Sequence, residues 1–239
     1  MPHWLDWLFA PQCAACGAPT TASEPLCETC AVTLDPLGAC CPRCAEPMGE
    51  RAVTCQRCVR EPLPLERIAS PWRFGGSLAS AIRRLKFTGA SHVARAVAPL
   101  WAPVLASAAA AIASAGDSLH GAALVVPVPL HWRRRVQRGY DHAWLLAVHA
   151  CASAGMPPPV PALRRVRAAA PQSTLTAAER AHNLRDAFAV RRSRARGVAG
   201  RAVVLVDDVA TTCATLAAAA RPLLAAGATR VLAVTLART

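Results

Sequence analysis

The chain has 239 residues, enough for one to two domains with a buried core. Hydrophobic residues make up 54% and charged residues 17%, which excludes a mainly disordered protein. The most apolar stretch, residues 97–115, is alanine-rich and interrupted by Pro99 and Pro103, so we expect a buried helix and no membrane insertion. The N-terminus has no basic segment before its short apolar run. We therefore expect no signal peptide and a cytoplasmic location.

The positive charge is concentrated in one part of the chain. The formal net charge is +13 at pH 7. Residues 1–70 contain five arginines and eight acidic residues, whereas residues 131–201 contain fourteen arginines and three acidic residues, a local net charge of +11. Such a focus attracts polyanions, which makes a phosphorylated small molecule or a nucleic acid the expected partner.

Eight cysteines before residue 60 form four Cys-x-x-Cys pairs in two repeats. Ten residues separate the two pairs of each repeat, and the second repeat follows the first by 28 residues. Two such pairs complete a tetrahedral Zn(II) site, and a cytoplasmic protein would not hold eight cysteines as disulfides. We therefore predict two structural zinc ions in a double zinc ribbon over residues 1–62. The ligands are Cys13, Cys16, Cys27, Cys30, Cys41, Cys44, Cys55 and Cys58.

The spacing leaves two alternatives open. Iron–sulfur clusters also take four thiolates. The repeats also permit an interleaved arrangement, in which the first pair joins the third and the second pair joins the fourth. Cys40 is the spare cysteine, because Cys41 has the Cys-x-x-Cys spacing to Cys44.

From residue 63 onward, helix and strand patterns alternate. Strands separated by helices pair in parallel, so residues 63–239 are predicted to form an α/β domain with a doubly wound parallel sheet and ligands at the carboxyl ends of its strands. The predicted elements are a bent strand or hairpin at 66–76, a helix from 77 that Gly89 ends, a helix at 91–115 bent at its prolines, a strand at 122–127, a helix at 141–154, a strand at 160–166, a strand at 203–206, a helix at 214–226 and a strand at 231–236.

Residues 203–215 carry the clearest functional pattern. Four apolar residues lead to the adjacent acids Asp207 and Asp208, and a hydroxyl-rich turn then begins a helix. Backbone N–H groups at a helix start, together with threonine hydroxyls, bind anions, and paired carboxylates suit a ribose diol with Mg²⁺ nearby. The pattern thus indicates a phosphorylated sugar. The turn consists of Val209, Ala210, Thr211, Thr212, Cys213, Ala214 and Thr215.

This segment resembles the motif with which type I phosphoribosyltransferases bind 5-phosphoribosyl 1-pyrophosphate (PRPP). With the cysteine repeats and three further blocks, residues 10–239 resemble the ComF family. That family joins an N-terminal zinc ribbon to a phosphoribosyltransferase-like domain and is linked to the uptake of transforming DNA. The blocks are Pro127-Val-Pro-Leu130, Arg138-Gly-Tyr-Asp-His142 and Gln172…Arg180…Asn183…Phe188.

The resemblance implies transfer of a phosphoribosyl group from Mg²⁺-bound PRPP, with pyrophosphate as the leaving group. Asp207 and Asp208 would hold the ribose hydroxyls, and the turn at 209–215 would hold the 5′-phosphate. Residues 164–183 would form a mobile loop over the reacting centre. The pyrophosphate and mobile-loop residues would be Pro127, Val128, Pro129, Arg138, Gln172, Arg180 and Asn183.

Two positions depart from the superfamily pattern. Cys213 stands where the motif has glycine, so a turn that needs positive φ would be strained there. Its position at a helix start also predicts a thiol of low pKa. Lys86, the only lysine, precedes the sheet, so arginines would have to replace a lysine in the mobile loop.

These departures give weight to an alternative function. The chain would then be a weakly active or inactive PRPP-fold scaffold that binds single-stranded DNA and partners of the uptake machinery, such as a helicase and other competence proteins. Trp132, Tyr140 and Trp144 lie within the basic stretch and are candidates for stacking on bases.

Overall fold

A computed structural model describes residues 11–21, 24–50, 53–113, 122–166 and 186–239. The strands are β1 (Ile68–Ala69), β2 (Trp72–Arg73), β3 (Leu124–Pro127), β4 (Leu163–Arg165), β5 (Phe188–Val190), β6 (Ala202–Ala210) and β7 (Arg230–Arg238). The helices are α1 (Glu28–Ala31), α2 (Gln56–Arg60), α3 (Gly76–Phe87), α4 (His92–Val97), α5 (Ala102–Ala113), α6 (Trp132–Arg138), α7 (His142–Ser153), α8 (Ala195–Val198) and α9 (Ala214–Ala225), with 3₁₀ turns at Ala98–Leu100 and Arg192–Arg194.

The main sheet is parallel and has the order β1-β7-β6-β3, with β2 also paired to β7. Strand β3 ends at Pro127, which pairs with Val206 of β6. Asp207 and Asp208 therefore lie just beyond the carboxyl end of β3. The predicted α/β class and parallel sheet are confirmed.

Strand β6 is buried on both faces because its apolar side chains alternate between two clusters. Val204 and Val206 join a cluster with helices α3, α4, α5 and α7, whereas Val203 and Leu205 join a cluster with α9. A parallel strand that helices cover on both faces needs a continuous apolar run. This requirement explains why β6 was recognisable in the sequence.

Several local predictions are confirmed and others need correction. Residues 66–76 form a bent strand and not a hairpin, since β1 and β2 both pair in parallel with β7. The chain bends by 65° between 92–100 and 102–113, where prolines were expected to bend it. Helix α6 was not predicted. The strand expected at 160–166 is limited to β4, which pairs antiparallel with β5 in a separate sheet.

Each cysteine repeat forms its own four-cysteine cluster, which rules out the interleaved arrangement. In each repeat the four Sγ atoms lie within 4.8 Å of one another. Burial opposes ionisation of Cys13 and Cys41, but backbone N–H groups outweigh it and lower the pKa of each thiol to about 6. Four clustered sulfurs, of which one in each repeat has a lowered pKa, fit a structural zinc ion.

Each ribbon packs against a different face of the sheet. Cys13 and Leu26 of the first ribbon belong to the cluster with α3, whereas Cys41 and Cys44 of the second belong to the cluster with α9. At the first contact, a Cβ on Gly76 would lie only 2.6 Å from the carbonyl oxygen of Thr33. Glycine at the start of α3 thus permits the close approach of the ribbon.

Among the described helices, no single one is long and apolar enough to cross a membrane, although the bent pair at 92–100 and 102–113 meets the criteria of length and composition.

We expect purified protein to carry two zinc ions per chain, measurable by metal analysis and by zinc release with a thiol reagent. Cys16→Ser and Cys44→Ser should each lose one ion, because each removes a ligand from a different cluster. Cys40→Ser and Cys151→Ser are the matched controls and should keep both ions, since neither residue belongs to a cluster. Iron in place of zinc, or the same ion lost by both ligand variants, would contradict the assignment.

Candidate functional site

The turn that is predicted to bind an anion, called the anion-binding turn below, follows β6 directly. Val209 and Ala210 still belong to the strand, where they pair with Ala237 and Arg238 of β7. Thr211 and Thr212 are exposed, and α9 begins after Cys213. The exposed hydroxyls and the first backbone N–H groups of α9 form the surface on which a phosphate would be bound.

Cys213 adopts the left-handed conformation expected of glycine. Its φ is 63° and its ψ is 0°, a conformation that costs a residue with a Cβ roughly 1 kcal/mol. The expected strain is therefore present. The expected low-pKa thiol is wrong, because the side chain is only 3% exposed and this burial raises the pKa of Cys213.

The paired acids differ in their surroundings. Asp207 is half-buried, whereas Asp208 is buried and contacts a lysine and a histidine. Its Oδ2 atom contacts Nζ of Lys86 from α3, and its Oδ1 atom lies 3.7 Å from Nε2 of His142 at the start of α7. Two helices that are distant in sequence thus meet at one carboxylate.

This asymmetry separates the pKa values of the pair. Burial and the negative charge of Asp208 raise the pKa of Asp207 to about 7. Burial also acts to raise the pKa of Asp208, but His142 and Lys86 outweigh it and hold that pKa below its ordinary value. Asp208 is the fixed carboxylate, and Asp207 is the one that titrates near neutral pH.

The residues from Arg138 to His142 form one side of the site, and most of them have an identifiable contact. Arg138 contacts Nδ1 of His142 at 3.3 Å, and Gly139 ends α6 with a φ of 78°. The Tyr140 hydroxyl donates to the carbonyl of Leu85, which places the end of α3 beside α7.

Asp141 completes this wall by holding two backbone segments. One carboxylate oxygen caps α7 by accepting from the N–H of Trp144 at 3.3 Å. The other accepts from the N–H of Leu130 at 2.9 Å, in the loop that follows β3. The predicted pyrophosphate loop, which includes Pro127 and Val128, is thereby tied to α7.

The reasoning from sequence missed Lys86. Its position, one residue before the end of an amphipathic helix, gives no signal. The composition gives a signal, because Lys86 is the one lysine among 27 lysine and arginine residues. A lysine fits where a single ammonium must reach one carboxylate oxygen, a task for which the planar guanidinium is less suited.

A pocket of about 500 Å³ borders the acid pair through Lys86. Its walls carry three cations and two aromatic rings, and the side chain of Phe87 is 72% exposed. The guanidinium of Arg138 lies 5.0 Å from the ring centroid of Phe87. The lining residues are Lys86, Phe87, Gly89, Arg134, Gln137, Arg138 and Tyr140.

The predicted mobile-loop residues Gln172, Arg180 and Asn183 lie outside the described residues. The strands that flank this segment are β4 and β5. Phe188, the last residue of the third block, pairs with Arg165, whose guanidinium lies 5.3 Å from its ring centroid.

Comparison with known proteins agrees with this architecture. Residues 4–59 match the family model of the double zinc ribbon domain. Over 173 residues, the chain is 35% identical to DNA utilization protein YhgH of Salmonella typhimurium and 33% identical to the protein of the same name in Escherichia coli K12, covering 72% of each chain. It is also 37% identical to Competence protein F of Haemophilus influenzae over 92 residues, 38% of this chain and 40% of that protein.

The chain belongs to the ComF family. Its double zinc ribbon and its phosphoribosyltransferase-like α/β sheet are the two parts expected of a ComF protein. The two four-cysteine clusters fit the two structural zinc sites.

We expect Asp207→Asn to stabilise this ComF protein at alkaline pH. The pKa of Asp207 is raised to about 7 in the folded chain, so the wild type loses stability as pH rises from its ordinary pKa of about 4 through 7. Asparagine cannot ionise, so the variant does not lose this stability as the pH rises. The excess in Tm over the wild type should therefore grow between pH 5 and 7 and stay constant above, as thermal unfolding would show.

The control is Asp35→Asn, which removes an exposed carboxylate that lies 3.7 Å from Arg73. It should show no such growth with pH. A Tm difference for Asp207→Asn that is independent of pH, or a destabilised variant at pH 8, would contradict the assignment of the raised pKa.

Proposed function

We propose that this protein binds PRPP with Mg²⁺ and transfers its phosphoribosyl group, in the service of DNA utilisation. The observation that carries the proposal is the placement of the Asp207–Asp208 pair and the Thr211–Cys213 turn on one strand end. The 5′-phosphate is an ester of the ribose itself, so the groups that bind the two must lie close together in space.

The charge around the strand end supports a polyanionic ligand. Lys86 and Arg138 lie at the acid pair, and Arg134 lines the same pocket. Burial and the charge of Arg134 both lower the pKa of Arg138 and of Arg165, as expected where positive charges lie close together. Pyrophosphate would balance these cations, and its developing charge would be stabilised as it leaves.

Each residue group has a separate task in such a transfer. The carboxylates of Asp207 and Asp208 orient the ribose through its hydroxyls, the turn fixes the phosphate, and the cations hold the leaving group. Mg²⁺ prefers oxygen ligands and would be held chiefly by PRPP oxygens, with the carboxylates nearby. This is catalysis by positioning and electrostatics.

The relatives suggest the biological setting. Two of them are named DNA utilization protein and Competence protein F, which associates these relatives with DNA utilisation and with competence. We extend that setting to this chain.

A second candidate function is binding of single-stranded DNA along α6. None of the seven residues of this helix is buried. Its exposed Trp132 stacks beside Arg133, with the guanidinium 5.4 Å from the ring centroid. Exposed aromatic rings flanked by arginines are the usual platform for single strands. Tyr140 and Trp144 are half-buried, so Trp132 is the best placed of the three aromatics to stack on a base.

We expect Mg²⁺-PRPP to stabilise the wild type. At about 100 times its Kd, a ligand contributes about 2.7 kcal/mol, which raises Tm by roughly 5–10 °C for a chain of this size. A double variant, Asp207→Asn with Asp208→Asn, should lose the shift because it cannot hold the ribose. Thermal unfolding with and without the ligand measures both.

Asp35→Asn serves again as the control for removal of a carboxylate and should keep the full shift. The proposal fails if Mg²⁺-PRPP leaves the wild-type Tm unchanged, or if the double variant shifts as far as the wild type.

We expect binding of a single-stranded oligonucleotide to weaken steeply between about 50 and 200 mM salt, because phosphate contacts release counterions. A triple variant of α6, Arg133→Gln with Arg134→Gln and Arg135→Gln, should weaken it about tenfold more than the matched triple variant Arg192→Gln with Arg194→Gln and Arg196→Gln. Fluorescence anisotropy measures both. Binding indifferent to salt, or equal losses in the two variants, would exclude α6 as the binding surface.

A further inference from the structure

The anion-binding turn rests directly on the second zinc ribbon. Sγ of Cys213 lies 4.0 Å from the carbonyl oxygen of Cys44 and 3.7 Å from a terminal nitrogen of Arg57. Cys44 is a ligand of the second cluster, and Arg57 lies between the ligands Cys55 and Cys58. The strained residue of the turn is therefore packed against the metal-binding part of the ribbon.

Arg238 makes a second link between the two parts. Its side chain is only 1% exposed, and a buried guanidinium is tolerated only when its donors are satisfied. Nε donates to the carbonyl of Cys44 and one terminal nitrogen donates to the carbonyl of Ala210, each at 3.0 Å. One side chain thus joins a zinc ligand to the residue that precedes the turn.

Glu46 connects the two arginines, Arg57 and Arg238. Its Oε2 atom accepts from Arg57 at 3.1 Å and also contacts Arg238. Arg57 in turn contacts Sγ of Cys44 at 3.3 Å. The ribbon, the last strand and the turn are consequently held by one set of charge-assisted contacts, which are stronger than neutral hydrogen bonds.

The two ribbon repeats differ at the residues that make these contacts. With the 28-residue offset of the repeats, Ala18 and Thr29 occupy the positions of Glu46 and Arg57. The first repeat has its own four-cysteine cluster without an acid or an arginine at either position. Glu46 and Arg57 are therefore not needed for a cluster of this kind. Arg57 contacts the turn and Glu46 contacts Arg57 and Arg238, which identifies a different task.

We propose that the second zinc ribbon is a positioning element for the anion-binding turn, acting through Arg57, Glu46 and Arg238. Metal in the second cluster then controls the conformation of residues 211–215, whereas metal in the first does not. The consequence for ligand affinity rests on the proposed function, since it takes the ligand of the turn to be a sugar phosphate.

The first test compares two arginines of α2. Arg57→Gln should speed hydrogen exchange of the amides at 211–215 and weaken binding of ribose 5-phosphate about fivefold, because the turn loses its contact with the ribbon. Arg60→Gln removes the same charge from the same helix, where Arg60 donates to Oε1 of Gln56 at 3.4 Å. It should change neither quantity.

The second test removes one metal ion at a time from the full chain. Cys58→Ser should lose the second ion and speed exchange at 211–215. Cys30→Ser should lose the first ion and speed exchange in α3, which contacts the first ribbon through Arg84. Zinc content confirms which ion was lost, and mass spectrometry reports exchange in both regions.

Equal exchange at 211–215 in Arg57→Gln and Arg60→Gln would overturn the proposal, as would equal exchange there in the two cysteine variants. If Cys58→Ser does not fold, the arginine pair decides alone. Should the wild type bind neither PRPP nor ribose 5-phosphate, the proposed function fails while the exchange comparison still decides this inference.

Discussion

The site depends on how two adjacent carboxylates are held at the end of a strand that is buried on both faces. Asp208 is buried, and a buried charge without partners would destabilise the chain by several kcal/mol. Lys86 and His142 supply those partners from α3 and α7. The helices that cover one face of the sheet thus also supply the side chains that contact the buried acid. Asp207 keeps a raised pKa because its burial and the negative charge of Asp208 outweigh the opposing effects of His142 and Lys86.

Each zinc ribbon is attached to one face of the sheet through an arginine of the α/β domain. Arg84 of α3 donates to the carbonyls of Cys13 and Ala14 at 2.7 and 3.1 Å, and Arg238 of β7 donates to that of Cys44 at 3.0 Å. A metal-bound loop offers carbonyl oxygens at fixed positions, and an arginine can hold them from the sheet domain. The first ribbon therefore supports the helix that carries Lys86, and the second supports the anion-binding turn.

Local patterns predicted the parts of this molecule that local physics determines. The cysteine spacing identified both four-sulfur clusters, and the run from Val203 to Val206 identified the central strand with its acids. Lys86 could not be placed, because its contact with Asp208 joins residues more than a hundred positions apart. Helix α6 was missed for a different reason. It buries none of its residues, so no apolar periodicity marks it.

Cys213 shows how a residue can be locally unfavourable and still fit its surroundings. Glycine would adopt a φ of 63° without strain, but it would leave nothing between the turn and the carbonyl of Cys44. Cysteine accepts a strain of roughly 1 kcal/mol, and its nearly fully buried side chain offsets that cost by filling the gap and contacting Arg57. The residue that departs from the superfamily pattern is therefore also the one through which the turn contacts the ribbon.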